Sequence, residues 1–175
     1  MKKFFYMSVL VLMAALTMTS CGSDDDGKDE PKPSTKTVNY EASVTLSQDL
    51  IDLCNVTLTY KDGDGKTVTE NVTSTTWSKK FAVKTLPAVV GVKCDYKMKE
   101  GVQLTKEKYD IIATLNHYPT IDGAKKGFDQ PFIYTQNQGL RADKVAEILG
   151  KTSGRMYGYN ISANGEVTTT ENITF

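Results

Sequence analysis

Val38-Asn39-Tyr40-Glu41-Ala42-Ser43-Val44-Thr45-Leu46 alternates an apolar residue with a polar one along its whole length. A period of two marks a strand with one face buried and the other wet. The same alternation returns downstream. Cys54, Val56, Leu58 and Tyr60 share a face, as do Trp77, Phe81 and Val83, and Val90, Val92, Cys94, Tyr96 and Met98. Tyr109, Ile111, Ala113 and Leu115 form another such set, Tyr157, Tyr159 and Ile161 a further one, and Val167, Ile173 and Phe175 a weaker last one.

The connections support this reading. Asp62-Gly63-Asp64-Gly65 separates two strand-like runs, and Asn164-Gly165 lies between Ile161 and Val167. Both contain residues that accept positive φ at low cost, the mark of a tight hairpin. Pro87 stops the Trp77 run. One helix is expected from Arg141 to Leu149, with Val145, Ile148 and Leu149 on one side and Gly150 as its C-cap. The fold expected is all-β: an antiparallel β-sandwich of immunoglobulin-like, Greek-key type, with about seven to eight strands and one short helix near the C-terminus. A closed barrel is the alternative.

Parity places Cys54 and Cys94 on the inner faces of their strands. Outside the cytoplasm this inward pair has the option of a disulfide, which would close a loop of about 40 residues and contribute roughly 4 kcal/mol. The alternative is two separate buried thiols packing as small hydrophobes. Either way the sulfurs are poor nucleophiles.

Catalytic chemistry finds little support. The chain has one histidine, His117, whose index continues the inner face of the Tyr109 strand, and no Gly-X-Ser-X-Gly elbow is present. One histidine also rules out a histidine-rich metal site. Asp62-Gly63-Asp64-Gly65-Lys66 resembles a calcium loop, but Lys66 stands where a third oxygen ligand belongs and Thr73 where the bidentate glutamate belongs, so a hairpin turn is expected. No cofactor and no metal are implied, and the chain is expected not to be an enzyme.

Pro119 to Gly139, about 21 residues between the Tyr109 strand and the helix, is longer than most connections in compact domains. Gly123, Lys125, Lys126 and Gly127 lead into Phe128, Pro131, Phe132, Ile133 and Tyr134. Long loops on a rigid sandwich are common binding surfaces. Phe128, Phe132, Tyr134 and the preceding Tyr118 are therefore the candidate binding residues. The alternative is that Phe132–Tyr134 form a short edge strand and Phe128 packs on the core. Trp77 is a further ring suited to a sugar platform, although its place on an apolar face argues for core packing.

At the start of the chain, Lys2 and Lys3 precede an apolar run from Phe4 to Leu16, then Met18-Thr19-Ser20-Cys21 and the acidic Asp24-Asp25-Asp26. A basic start, a short apolar stretch and small residues before the cleavage point make a secretory signal. The run is short of the roughly 20 residues that span a bilayer. This segment resembles those of Bacteroidetes-type surface-exposed lipoproteins: Met18–Cys21 is similar to their lipobox, and the acidic run to their surface-export tag. The resemblance covers Met1 to about Glu30. It implies that residues 1–20 are removed as a signal peptide, that Cys21 is lipidated, and that the protein is anchored in the outer membrane and exposed at the cell surface.

Residues 21–36 hold no large apolar side chain, so they are expected to be a flexible acidic tether. Residues 37–175 suffice for one domain. Without Lys2 and Lys3, the 19 remaining basic residues face 21 acidic ones, and the tether's excess of Asp and Glu over Lys accounts for the difference. The domain is neutral and unsuited to nucleic acid. Its expected partners are the membrane, through the lipid, and a glycan or a protein ligand bound by loops and exposed aromatics. A structural or assembly subunit of a surface complex or appendage, completed through an open edge strand, is the second expectation, and a small extracellular enzyme the third.

Overall fold

The computed structural model describes residues 36–175. Cys21, the expected signal segment and all of the expected tether except Lys36 lie outside the described residues. The rest is an all-β sandwich of two antiparallel sheets with ten strands, two of them more than expected at the upper bound.

The first sheet contains β1 (Val38–Leu46), β4 (Thr76–Val83), β6 (Lys108–Ile121), the two-residue β7 (Ala124–Lys125) and β8 (Phe132–Arg141). Here β4 pairs with β1 and β1 with β6, while β8 and β7 share the other edge of β6. The second sheet runs β10 (Val167–Thr170), β9 (Arg155–Ile161), β5 (Ala88–Met98), β2 (Cys54–Lys61) and β3 (Thr67–Val72). The chain crosses between sheets at β1–β2, β3–β4, β4–β5, β5–β6 and β8–β9. Most pairings are therefore non-local.

The alternation of β1 holds throughout, with Val38, Tyr40, Ala42, Val44 and Leu46 all buried. The inner faces of β2, β5 and β6 bury the residues expected of them, apart from Met98, which is half-buried. Tyr40, Tyr134 and Tyr159 are fully buried. Each hydroxyl has a partner: Tyr40 meets His117 Nδ1 at 2.6 Å, Tyr134 donates to the Val92 carbonyl at 2.8 Å, and Tyr159 donates to the His117 carbonyl at 3.2 Å. These bonds satisfy polar groups that would otherwise be costly in an apolar core.

The two predicted hairpins use one geometry. Asp62 N–H donates to Lys66 O at 2.9 Å and Gly65 N–H to Asp62 O at 3.0 Å; Ser162 with Glu166, and Gly165 with Ser162, repeat the pair. Gly65 and Gly165 take φ of 75° and 84°, the left-handed residue of a three-residue hairpin loop. Asp62 Oδ1 accepts from the N–H groups of Asp64 and Lys66. The carboxylate of the calcium-like motif thus serves its own turn.

Four expectations need correction. First, Cys54 and Cys94 are both buried, as parity requires, but they are free thiols. Cys54 lies opposite Met98 and Cys94 opposite Leu58, four positions apart along the β2–β5 ladder. At roughly 3.3 Å per residue the separation is well beyond the Cα distance of under about 7 Å that a disulfide needs.

Second, a helix precedes β2: α1 (Gln48–Leu53) is capped by Ser47 Oγ, which accepts from Leu50 N–H, and it buries Leu50, Ile51 and Leu53. Third, the expected helix begins with a 3-10 turn (Ala142–Lys144) and continues as α2 (Val145–Thr152), running through Gly150. Gly154, with φ of 85°, follows its true end at Ser153.

Fourth, Ile173 belongs to no strand. Its Cδ1 fills a notch on the outer face of the second sheet, where Gly91 and Gly158 lie opposite each other.

Candidate functional site: an aromatic rim at a break in the first sheet

The stretch expected as one long loop is largely built into the sheet. β6 continues to Ile121, Asp122-Gly123 turns the chain, and β7 returns beside Thr120 and Ile121. Only the six residues 126–131 connect β7 to β8. Pairing of β8 with β6 stops at Leu115 and that of β7 starts at Thr120, with Lys126 N–H donating to Pro119 O at 2.8 Å, so Asn116–Tyr118 face a break between the two strands.

His117 lies at this break and is buried, 2% exposed. Burial pushes its imidazole down to about 4, so the ring is neutral near pH 7. Burial also holds the Tyr40 phenol well above its ordinary range. Both partners are therefore neutral, and the Tyr40 contact occupies Nδ1 and leaves Nε2 as the other ring nitrogen. That nitrogen is buried with no hydrogen-bond partner.

Tyr159 spans the core from β9 to the break. Its hydroxyl donates to the His117 carbonyl and accepts from the Phe128 N–H at 3.4 Å. Gly127 makes the approach feasible: a Cβ there would lie 2.6 Å from the Tyr159 hydroxyl, and its φ is 93°. The connection is thus seated on a core tyrosine and turns Phe128 outward.

Phe128 is 59% exposed. Its ring meets Phe132 edge to face at 6.1 Å, and Phe132 stacks on Tyr157 at 4.6 Å with an interplanar angle of 27°. Phe132 also meets His117 at 5.1 Å. On the outward side of β8, Ile133 is 43% exposed. The Tyr157 hydroxyl donates to Ile133 O and the Arg155 guanidinium to Tyr134 O, covering backbone acceptors of this edge strand. The result is a rim of one exposed ring braced by two half-buried ones.

The four candidate residues therefore separate. Phe128 and Phe132 belong to the rim. Tyr134 is core, and Tyr118 stands on the outer face of the first sheet, its hydroxyl donating to Glu41 at 2.9 Å and Lys125 Nζ lying 4.4 Å from its ring centroid. Trp77 is half-buried between β4 and β3, donating to Glu70 at 2.9 Å. Lys79, Trp77 and Tyr60 hold the Glu70 carboxyl down at about 2. Sequence reasoning missed Tyr157 as a rim residue and Tyr159 as the brace; Gly127 beside Phe128 was the available clue.

The carboxyls of Glu41, Asp49, Asp64, Asp122 and Glu147 are also lowered, each with a lysine partner. That environment favours ionised acceptors over proton donors. No protein-family model and no curated protein matches the chain.

Proposed function

We propose that this is a non-catalytic lipoprotein of the outer-membrane surface, lipidated at Cys21, whose folded domain is a binding module that takes a protein ligand at the Phe128 rim. The observation that carries the reading is the Phe128 ring, exposed on a connection that Tyr159 and Gly127 hold in place. An exposed aromatic on a pre-ordered segment loses little entropy on binding and suits an interface anchor.

A protein ligand fits the rim better than a glycan. Phe132 and Tyr157 stack on each other, which leaves Phe128 as the one ring with open faces, and the exposed Ile133 extends the apolar character. A non-catalytic role agrees with carboxyls held ionised by lysines and with a histidine sealed in the core. Assembly by strand addition is less favoured. β4 carries Lys79 and Lys80 on its free edge, and β10 is four residues long, both features that discourage edge pairing.

The test places a photo-crosslinking phenylalanine analogue at position 128 of the lipid-anchored protein and presents it to a panel of purified extracellular-matrix and cell-surface proteins. Adducts from position 128, with none from the same analogue at the exposed Thr168, are expected. Glycan binding lost on Phe128→Asp would replace the protein ligand by a glycan, and silence in both arms would overturn the reading.

A further inference from the structure

The outer face of the first sheet carries a second, chemically different surface. Cross-strand register sets Lys80, Glu41 and Tyr118 in one row and Ser78, Ser43 and Asn116 in the next. The first row is tied together: Lys80 pairs with Glu41, and the Tyr118 hydroxyl donates to the same carboxylate. Lys125, over the Tyr118 ring, is in turn 3.7 Å from Asp129. These contacts hold the long side chains up as a wall.

The second row is short. Ser43 Oγ makes one long contact to the Asn116 carbonyl at 3.4 Å, and among the described residues the side chains of Ser78 and Asn116 have no protein hydrogen bond. The step from long to short side chains creates a groove of about 300 Å³ lined by both rows. That volume is at the small end of ligand sites, which run from roughly 300 to 1,000 Å³.

We infer that this groove is a binding site for a neutral glycan, engaged by the Ser78–Ser43–Asn116 row with the Tyr118 ring as its side wall. The charges lining the groove cancel in pairs, Lys80 with Glu41 and Lys79 with Glu70, and Lys125 beside the Tyr118 ring is paired with Asp129. An anionic ligand would have to break one of those pairs. An apolar segment would cover the hydroxyls and carboxamide without satisfying them, which costs free energy. A polyhydroxylated ring offers donors and acceptors to all three short side chains and apolar C–H groups to the tyrosine. The inference stands apart from the Phe128 rim, because Tyr118 projects from the opposite face of β6 to the one that faces the core.

The experiment is a titration of the full-length mature protein with neutral oligosaccharides (glucan, mannan, xylan and galactan fragments) and with sulfated and uronic-acid counterparts, followed by the NMR signal of the Asn116 carboxamide. A neutral oligosaccharide is expected to move that signal, and Asn116→Ala, at an exposed position, to weaken binding by at least about tenfold with an unchanged melting temperature. Phe128→Asp is expected to leave the binding as it was. The inference is overturned if no neutral oligosaccharide shifts the signal, if only charged ones do, or if binding survives Asn116→Ala.

Discussion

The hydroxyl of Tyr159, on one sheet, donates to the carbonyl of His117, on the other, at 3.2 Å. Because the same oxygen accepts from the Phe128 N–H, one core side chain both fills the break in the first sheet and seats the rim. Tyr159→Phe keeps the ring and removes both bonds. It is expected to cost about 1–3 kcal/mol, the range for an orphaned buried polar group. Amide exchange should rise in residues 126–131 and stay unchanged in β2 and β5; protection of the connection equal to wild type would show that Tyr159 is not its brace.

His117 gives the fold a pH dependence. Its folded value, about 4, lies below the roughly 6.5 of an unfolded histidine, so the unfolded chain binds the extra proton first. Stability from this site is fully present above about pH 6.5 and is lost as pH falls toward 4. The total is on the order of 3 kcal/mol from a shift of this size. Urea midpoints measured across that interval should fall in the wild type and fall less in His117→Gln. Parallel curves would mean that the imidazole is protonated in the fold.

The two inner cysteines should behave as inert thiols. Burial raises Cys54 to about 11 and raises Cys94 further. Alkylation of the native protein should be slow at both, and denatured, unreduced protein should take up label at both by mass spectrometry. A melting temperature that drops on adding a reductant would contradict the free-thiol arrangement.

Ile173 ties the C-terminal segment to the outer face of the second sheet. It is 5% exposed, and a Cβ on Gly158 would come within 2.6 Å of its Cδ1. Ile173→Ala should cost about 2 kcal/mol, at the low end for deleting a buried aliphatic side chain. Gly158→Ala should displace the segment, seen as faster amide exchange at Ile173, because the new methyl also meets the Val90 carbonyl.

Why some of this was legible and some was not follows from burial. Strands β1, β2, β5, β6 and β9 each have one face against the other sheet, which imprints a period of two on the sequence. β8 broke the pattern. Thr135 pairs with Ala113 and Ile133 with Thr114, leaving Tyr134 as an extra, bulged residue, and a second irregularity follows at Gln138-Gly139. Each bulge shifts side-chain parity, so the strand hides its own signature. α1 is too short for helical periodicity and is held by its Ser47 cap and by Asp49, which pairs with Lys106.

The site was legible residue by residue. Parity sets Tyr118 opposite to Leu115 on β6, and Phe128 stands out beside Gly127. That Phe128 and Phe132 share a rim with Tyr157, whereas Tyr134 and Tyr118 do not, depends on how the two sheets meet, which local spacing does not encode.

The most direct measurement compares the affinity of the tethered wild-type protein, Phe128→Asp and Tyr118→Asp for one protein ligand recovered by crosslinking at position 128. A loss of at least about tenfold confined to Phe128→Asp, with all three proteins equally folded, is the predicted result. Equal affinities for wild type and Phe128→Asp, or a loss confined to Tyr118→Asp, would contradict the assignment of the rim as the ligand surface.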